Sequence, residues 1–129
     1  MKENMLLYAG IIVLGLSVML NQNNTVILQL GSVSVRANIA DSRPELEKGL
    51  SGIASLPANT GLWFVFDTSD YHGIWMKDMK FAIDIAWIDD QYRIVHTQHN
   101  VAPETYPTVF RPPVPARYVL EVPAGSLLF

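Results

Sequence analysis

The side chains with the most chemical potential in this chain are carboxylates set among apolar neighbours. Asp84 interrupts Phe81-Ala-Ile-Asp-Ile-Ala-Trp87. Alternation along a strand places it with Ala82, Ala86 and Ile88, while Phe81, Ile83, Ile85 and Trp87 take the other face. A carboxylate in such company must cap backbone N–H groups, pair with a cation, or face a pocket, since an unpartnered one is strongly disfavoured or takes up a proton. The structural use is the commoner. Glu121 poses the same question. Arg117, Val119 and Glu121 share one strand face and Tyr118, Leu120 and Val122 the other, so Arg117 and Glu121 form either an exposed charge ladder or a ligand-orienting pair. Trp75-Met-Lys-Asp-Met79 sets an aromatic and two thioethers beside Lys77 and Asp78. That combination stacks on one side of a small polar ligand or sugar ring and hydrogen-bonds on the other, or else packs its tryptophan in the core. The candidate ligand-binding residues are therefore Trp75, Lys77, Asp78, Asp84, Arg117 and Glu121. Trp75, Lys77, Asp84 and Glu121 are expected to approach one concavity, with Tyr106, Phe110 and Arg111 on its rim.

Other chemistries find less support. Asp70, His72, Lys77, Asp84 and Glu121 are the side chains available for acid–base catalysis, and carboxylate chemistry on a saccharide is the enzymatic alternative. Ser42, Ser51, Ser55 and Ser69 lie in neither a Gly-x-Ser-x-Gly nor a Ser-x-x-Lys context. His96 and His99 are three apart in a strand-to-loop region, and with His72 they match no metal-ligand motif, so no metal and no cofactor is expected. With no cysteine, disulfides, thiolate nucleophiles, thiolate-bound metals and lipid attachment through cysteine are excluded. A net charge of −3 without any basic run argues against a nucleic-acid partner.

The elements that must position these residues read as mostly β. Thr25 to Leu30 and Val33 to Ala40 flank Gly31-Ser32, a two-residue hairpin signal. Ser42-Arg-Pro-Glu45 has an N-cap, a first-turn proline and a capping-box glutamate. It predicts one helix of two or three turns that stops at Gly52. Strand-like runs follow at Gly61–Phe66, Gly73–Met76, Phe81–Ile88, Tyr92–Thr97 and Arg117–Val122, with Asp89-Asp90-Gln91 as a tight connection. Val101 to Pro115 reads as a long loop stiffened by prolines. The expected fold is a small single-domain β-sandwich or partly open barrel with one short helix.

Ahead of the domain, Met5 to Leu20 is uncharged and apolar. As a helix it would be about 24 Å long at ~1.5 Å per residue, against a hydrocarbon core of ~30 Å. Local thinning and the flanking asparagines accommodate the difference. The sequence thus divides into residues 1–24, an N-terminal membrane helix with its linker, and residues 25–129, the β-rich domain. The α-amino group and Lys2 precede the apolar run and the next cation is Arg36, which favours a single pass with the C-terminal domain outside the cytoplasm. Secretion after signal cleavage is the alternative. The lipid bilayer is the expected partner of Met5 to Leu20.

Several ordered blocks carry a family resemblance: Gly49-Leu50, Gly61-Leu-Trp-Phe-Val-Phe66, Trp75-Met-Lys-Asp-Met79, Ile83-Asp-Ile-Ala-Trp-Ile-Asp89, Ile94-Val95 and Ala116-Arg-Tyr-Val-Leu-Glu-Val-Pro-Ala-Gly125. Together, over about residues 25 to 125, they resemble the domain-of-unknown-function family numbered 192, also called uncharacterised protein family 0127. The resemblance implies a small, mostly β domain, often behind a signal peptide or membrane anchor, and brings no established activity. Members commonly have Asn at the position of Asp78 and Met at that of Leu62. They usually continue past the Pro-Ala-Gly block with another strand, so an unpaired sheet edge is expected near Ala116 to Val122.

The leading functional expectation is a tethered extracytoplasmic binding module for a polar or saccharide-like ligand. The alternatives are a protein–protein or envelope-assembly module, marked by an apolar patch around Tyr106, Phe110 and Pro112, and a hydrolase using carboxylates. The division at residue 24 is directly testable: the full chain should sediment with membranes, and residues 25–129 expressed alone should be soluble and folded. Insoluble or unfolded product from the shorter piece would refute a separable anchor.

Overall fold

The computed structural model describes residues 24–129 in full; upstream of them it gives only the backbone of two short extended segments, Leu7–Tyr8 and Leu16–Leu20. The membrane helix expected over Met5–Leu20 falls on that upstream stretch, outside the fully described residues, and is not shown. Among the described residues no helix is long and apolar enough to cross a membrane.

The chain opens with a hairpin, β1 (Thr25–Leu30) and β2 (Val33–Ala40), in register from Thr25 opposite Asn38 to Leu30 opposite Val33. Gly31 takes φ +64° at its tip, a left-handed conformation that the two-residue turn demands. Buried Val26, Leu28 and Leu30 alternate with partly exposed neighbours in β1, and Val35 and Ala37 do so in β2, which is the period-two pattern of a half-buried sheet. Helix α1 (Arg43–Lys48) then crosses over to β3 (Thr60–Asp70), which lies parallel to β2. A parallel pair needs such a crossover. The predicted capping box is present, with the Ser42 hydroxyl accepting from the Glu45 N–H and the Glu45 carboxylate accepting from the Ser42 N–H. The helix ends earlier than expected, at Gly49 rather than Gly52, and is six residues long.

β4 (Ile74–Trp75) pairs with β7 (Val109–Phe110) in a separate two-stranded sheet. The remaining strands are β5 (Ile83–Ile88), β6 (Ile94–Val101) and β8 (Ala116–Pro123), with a single 3₁₀ turn at Pro103–Thr105 inside the proline-rich segment. The large sheet runs β1-β2-β3-β8-β5-β6, and the backbone of Leu16–Leu20 adds along the outer side of β1. The fold is mostly β, an open sheet with one short helix and a sandwich-like arrangement of layers.

One expectation is overturned here. β8 was to be an edge, yet it sits between β3 and β5 and is antiparallel to both. Val119 lies opposite Phe64 on one side and Trp87 on the other. The reason is topological. The last strand inserts between two earlier ones, so the family-like block at Ala116–Gly125 is the middle of the sheet.

Because β8, β3 and β5 are covered on both faces, two cores form. On one face Leu120, Val122, Trp63, Ala86 and Ile88 pack with the β1–β2 hairpin and Leu127. Trp63, Tyr118 and Tyr92 stack successively there, with ring centroids 5.0 and 5.2 Å apart. On the opposite face Val119, Phe64, Ile85 and Trp87 pack with Leu50, Ile74, Met76 and Val101. Strand β5 is buried throughout. That explains why Asp84 stands alone as its charge.

Asp84 lies on the first face, opposite Val122, at 1% exposure. Its Oδ1 accepts the Asn100 N–H at 2.8 Å, and its Oδ2 accepts the N–H groups of Gly125 at 2.9 Å and Leu127 at 3.0 Å. The carboxylate therefore fastens the end of β6 and the turn after β8 to β5, and His99 Nδ1 stands 3.9 Å from Oδ2. Replacing Asp84 by Asn presents an NH₂ group to backbone donors, so D84N should lose about 2–4 kcal/mol of stability. Urea unfolding of the two proteins measures this; an unchanged midpoint would show that the three bonds carry no net stability.

Candidate functional site

Glu121 occupies the second face, opposite Ile85 and Leu62. It is as deeply placed as Asp84, at 4% exposure, but its Oε1 has no hydrogen-bonding partner among the described residues. Burial alone pushes its pKa from the usual carboxylate value up to about 8. The side chain is not walled in. It lines a concavity of about 730 Å³ together with Leu46, Leu50, Phe64, Ile74 and Trp75.

Three pieces of chain build this cavity over the sheet. Helix α1 and its C-cap form one wall. Gly49 turns the chain with φ +52°, and a Cβ there would stand 3.3 Å from the Phe64 ring and 3.9 Å from Glu121 Oε1, so a side chain would press on the sheet just where the carboxyl emerges. The turn after β4 forms the facing wall. Met76 is buried and anchors it, while Asp78 takes φ +57°, a left-handed position that Asn and Asp tolerate better than most residues. The two walls are stitched together by Ser51 Oγ donating to the Lys77 carbonyl at 2.8 Å and the Gly52 N–H donating to the Asp78 carbonyl at 2.9 Å. The third piece is the sheet itself, which contributes Phe64, Phe66 and Glu121.

Depth sorts the lining. Leu50, Phe64, Ile74 and Glu121 are buried, whereas Glu47, Lys48, Trp75, Lys77 and Asp78 are exposed and belong to the mouth. Trp75 is 45% exposed; its ring meets Tyr106 edge-on at 5.3 Å and carries Lys77 Nζ 5.7 Å from its centroid. Such a ring is held ready as a face rather than spent in the core.

Of the six candidate ligand-binding residues, Trp75, Lys77, Asp78 and Glu121 line this one cavity. Asp84 does not. Directly opposed residues on neighbouring strands share a face, and Asp84 is opposite Val122 where Glu121 is opposite Ile85. The two carboxyls thus point to opposite sides of the sheet, and the expected convergence of Asp84 with Glu121 is corrected. Arg117 is also elsewhere: its Nε donates to the Phe66 carbonyl, and its guanidinium lies 5.8 Å from the Tyr118 ring centroid. No Arg117–Glu121 ladder forms among the described residues, because a register shift between Ala116 and Tyr118 displaces the start of β8 relative to β3.

The expected rim fares in parts. Tyr106 reaches the mouth through Trp75, Phe110 is partly buried beside Ile74 of β4, and Arg111 Nη1 is engaged with the Tyr71 carbonyl at 2.7 Å. Of the three residues of the expected apolar patch, Tyr106 is 43% exposed, Phe110 is half-buried and Pro112 is buried. Asp70 and His72 lie outside the cavity lining. His72 stacks on Phe66 at 3.7 Å, and its carbonyl accepts the Trp87 Nε1–H at 2.8 Å. Among the described residues no cluster of His, Asp and Glu could hold a metal ion.

Residues that sequence reasoning missed are Leu46, Gly49, Leu50, Phe64 and Phe66. Gly49-Leu50 stood out as a family-like pair, but only the crossover places the helix end over β8.

The buried acid makes a definite statement about pH. Glu121 is neutral in both folded and unfolded chains below about pH 4.5. Between there and about pH 8 the unfolded chain releases a proton that the folded one retains, so stability falls as pH rises through this window and levels off above it. Glu121→Gln removes the effect. E121Q should match the parent near pH 4 and be the more stable by a few kcal/mol at pH 8. Melting temperatures at the two pH values check this, and an equal pH slope in both proteins would contradict it.

Comparison with known proteins agrees with this geometry at the level of fold. No curated protein matches the chain. A structure from Sinorhizobium meliloti 1021, described as a "putative transcription regulator", is similar at a TM-score of 0.69 and 24% identity, over 72% of this chain and 71% of that one. A protein of unknown function from Novosphingobium aromaticivorans DSM 12444 is similar at 0.72 and 24% identity, over 92% of this chain and 82% of that one. At this identity the likeness concerns the fold alone. The family model described as Uncharacterized ACR, domain of unknown function 192, matches residues 26–128, which span the hairpin, the helix, the cavity and the central strand, and the chain belongs to that family.

Proposed function

We propose that this domain is a binding module for a small polar ligand, taken up in the cavity between helix α1, the turn after β4 and the sheet. One observation carries the binding reading: a deeply buried carboxyl, Glu121, faces an open cavity with Oε1 unpartnered. Leaving such a group without a partner is unfavourable by about 1–3 kcal/mol, which a ligand's hydrogen bond would recover. The surroundings agree. A volume of about 730 Å³ lies within the usual range for small-molecule sites, and apolar walls with few polar groups are their usual lining. Trp75 at the mouth offers an aromatic face to a ring.

A thermal-shift screen of the protein against sugars, small amines and nucleotides tests the reading, since a ligand bound to the native state at a hundred times its Kd stabilises by about 2.7 kcal/mol. A hit should lose at least about tenfold in affinity in Trp75→Ala, whose exposed ring contributes little to folding. It should keep its affinity in Asp84→Asn, on the other face of the sheet. A screen without hits, or a hit indifferent to Trp75, would argue against the cavity as a binding site.

A further inference from the structure

We propose that the ligand of this cavity carries a protonated amine on an apolar body, and that the amine seats against the Glu121 carboxyl. The inference rests on the cavity being a binding site and adds the charge of what it takes.

The sign follows from where the charges lie. At the mouth they balance: Glu47 and Lys48 from α1, and Lys77 and Asp78 from the turn after β4. Glu47 is further engaged with Arg43 at 3.1 Å, and Lys77 with the Trp75 ring. No lysine or arginine forms an ion pair with Glu121 among the described residues. Arg117 is bound to the Phe66 carbonyl and His72 is stacked on the Phe66 ring, and neither is paired with Glu121. Selection by sign therefore falls to the one acid at depth. An anion would be repelled by it once ionised. A neutral hydroxyl would give it one ordinary hydrogen bond. An ammonium would form a charge-assisted bond, about twice as strong. The deep walls of Leu50, Phe64 and Ile74 offer such a ligand only apolar contact, so its body is apolar, and Phe66 and Trp75 add aromatic surface to the lining.

This binding moves a proton. Glu121 is held largely protonated at neutral pH by its burial. The incoming ammonium keeps its own protons, and the carboxyl proton leaves to solvent as the ion pair forms. The apparent affinity for an amine should then rise about tenfold from pH 6 to pH 7 and level off above pH 8, following the fraction of Glu121 that is ionised.

Cyclohexylmethylamine and its neutral counterpart cyclohexylmethanol separate the possibilities in calorimetric titrations of the full chain, in two buffers of different ionisation enthalpy. The amine should bind at least about tenfold more tightly than the alcohol at pH 8 and release close to one proton per molecule at pH 7. E121Q, its folding checked by circular dichroism, should bring the amine down to the affinity of the alcohol and leave the alcohol unchanged. The parent's own pH profile and proton release decide the matter even if that variant does not fold. Equal affinity for the two probes, a pH-independent amine affinity, or no amine binding at pH 8 would each overturn the ammonium assignment. Persisting alcohol binding would then leave the cavity reading intact, and that reading falls separately, with the broader screen.

Discussion

The centre of this domain's sheet is buried on both faces, and the consequences of that run through the whole structure. β8 lies between β3 and β5, with one core packed on Leu120 and Val122 and another on Val119 and Phe64. In a sheet with one wet face, a carboxylate can always turn outward. Here it cannot, so an acid buried on the central strands must find a partner within the protein or face a cavity. Only two buried acids are present among the described residues, and each meets one of those alternatives. Asp84 receives three backbone N–H groups. Glu121 has none, and opens onto the cavity.

Supporting such a cavity requires that the cover not collapse onto it. Two short segments hold it open by binding each other rather than the sheet. The helix end and the turn after β4 are joined by Ser51 to Lys77 and by Gly52 to Asp78. Leu50 and Met76 then anchor the two walls in the second core, on either side of the space. Gly49 keeps the junction free of a side chain. The mouth is thus framed by hydrogen bonds to the Lys77 and Asp78 carbonyls, while Trp75 is braced by Tyr106 and Lys77.

Much of this was legible in the sequence, and what was not has a physical reason. Local signals read well: the Gly31-Ser32 hairpin, the Ser42–Glu45 capping box and the alternation in Val33–Ala40 depend on neighbours within a few residues, and all three appear as expected. The family blocks mark what the fold needs. Asp78 sits where the backbone is left-handed, a conformation that Asn and Asp adopt more readily than most residues. Nonlocal pairing did not read. Alternation assigns Asp84 and Glu121 each to a face of its own strand, yet it says nothing about which faces coincide, and only the register of Val122 with Asp84 sets the two acids apart. Nor could it show β8 inserted between β3 and β5, since a strand's place in a sheet depends on the order in space rather than along the chain. Arg117 was misplaced by the local register shift, which breaks the two-residue period that the reading assumed.

The two acids sit on neighbouring strands, Asp84 on β5 and Glu121 on β8, and face opposite sides of the sheet. Asp84 fixes the turn after Pro123 by holding the Gly125 and Leu127 N–H groups, and so holds the C-terminal end of β8 against β5. Glu121 lies two residues before Pro123 on that same strand. An unpartnered buried acid weakens the structure around it, because its neighbours gain by shifting to admit water or a polar group. A strand pinned beyond it, and paired along both edges, has little room to shift. The satisfied carboxylate thus fixes the turn beyond β8, while the place of Glu121 is set by the pairing of β8 with β3 and β5. This division of roles explains why two acids so close on adjacent strands differ so completely in their surroundings: one holds the sheet, and the other is left for whatever enters the cavity.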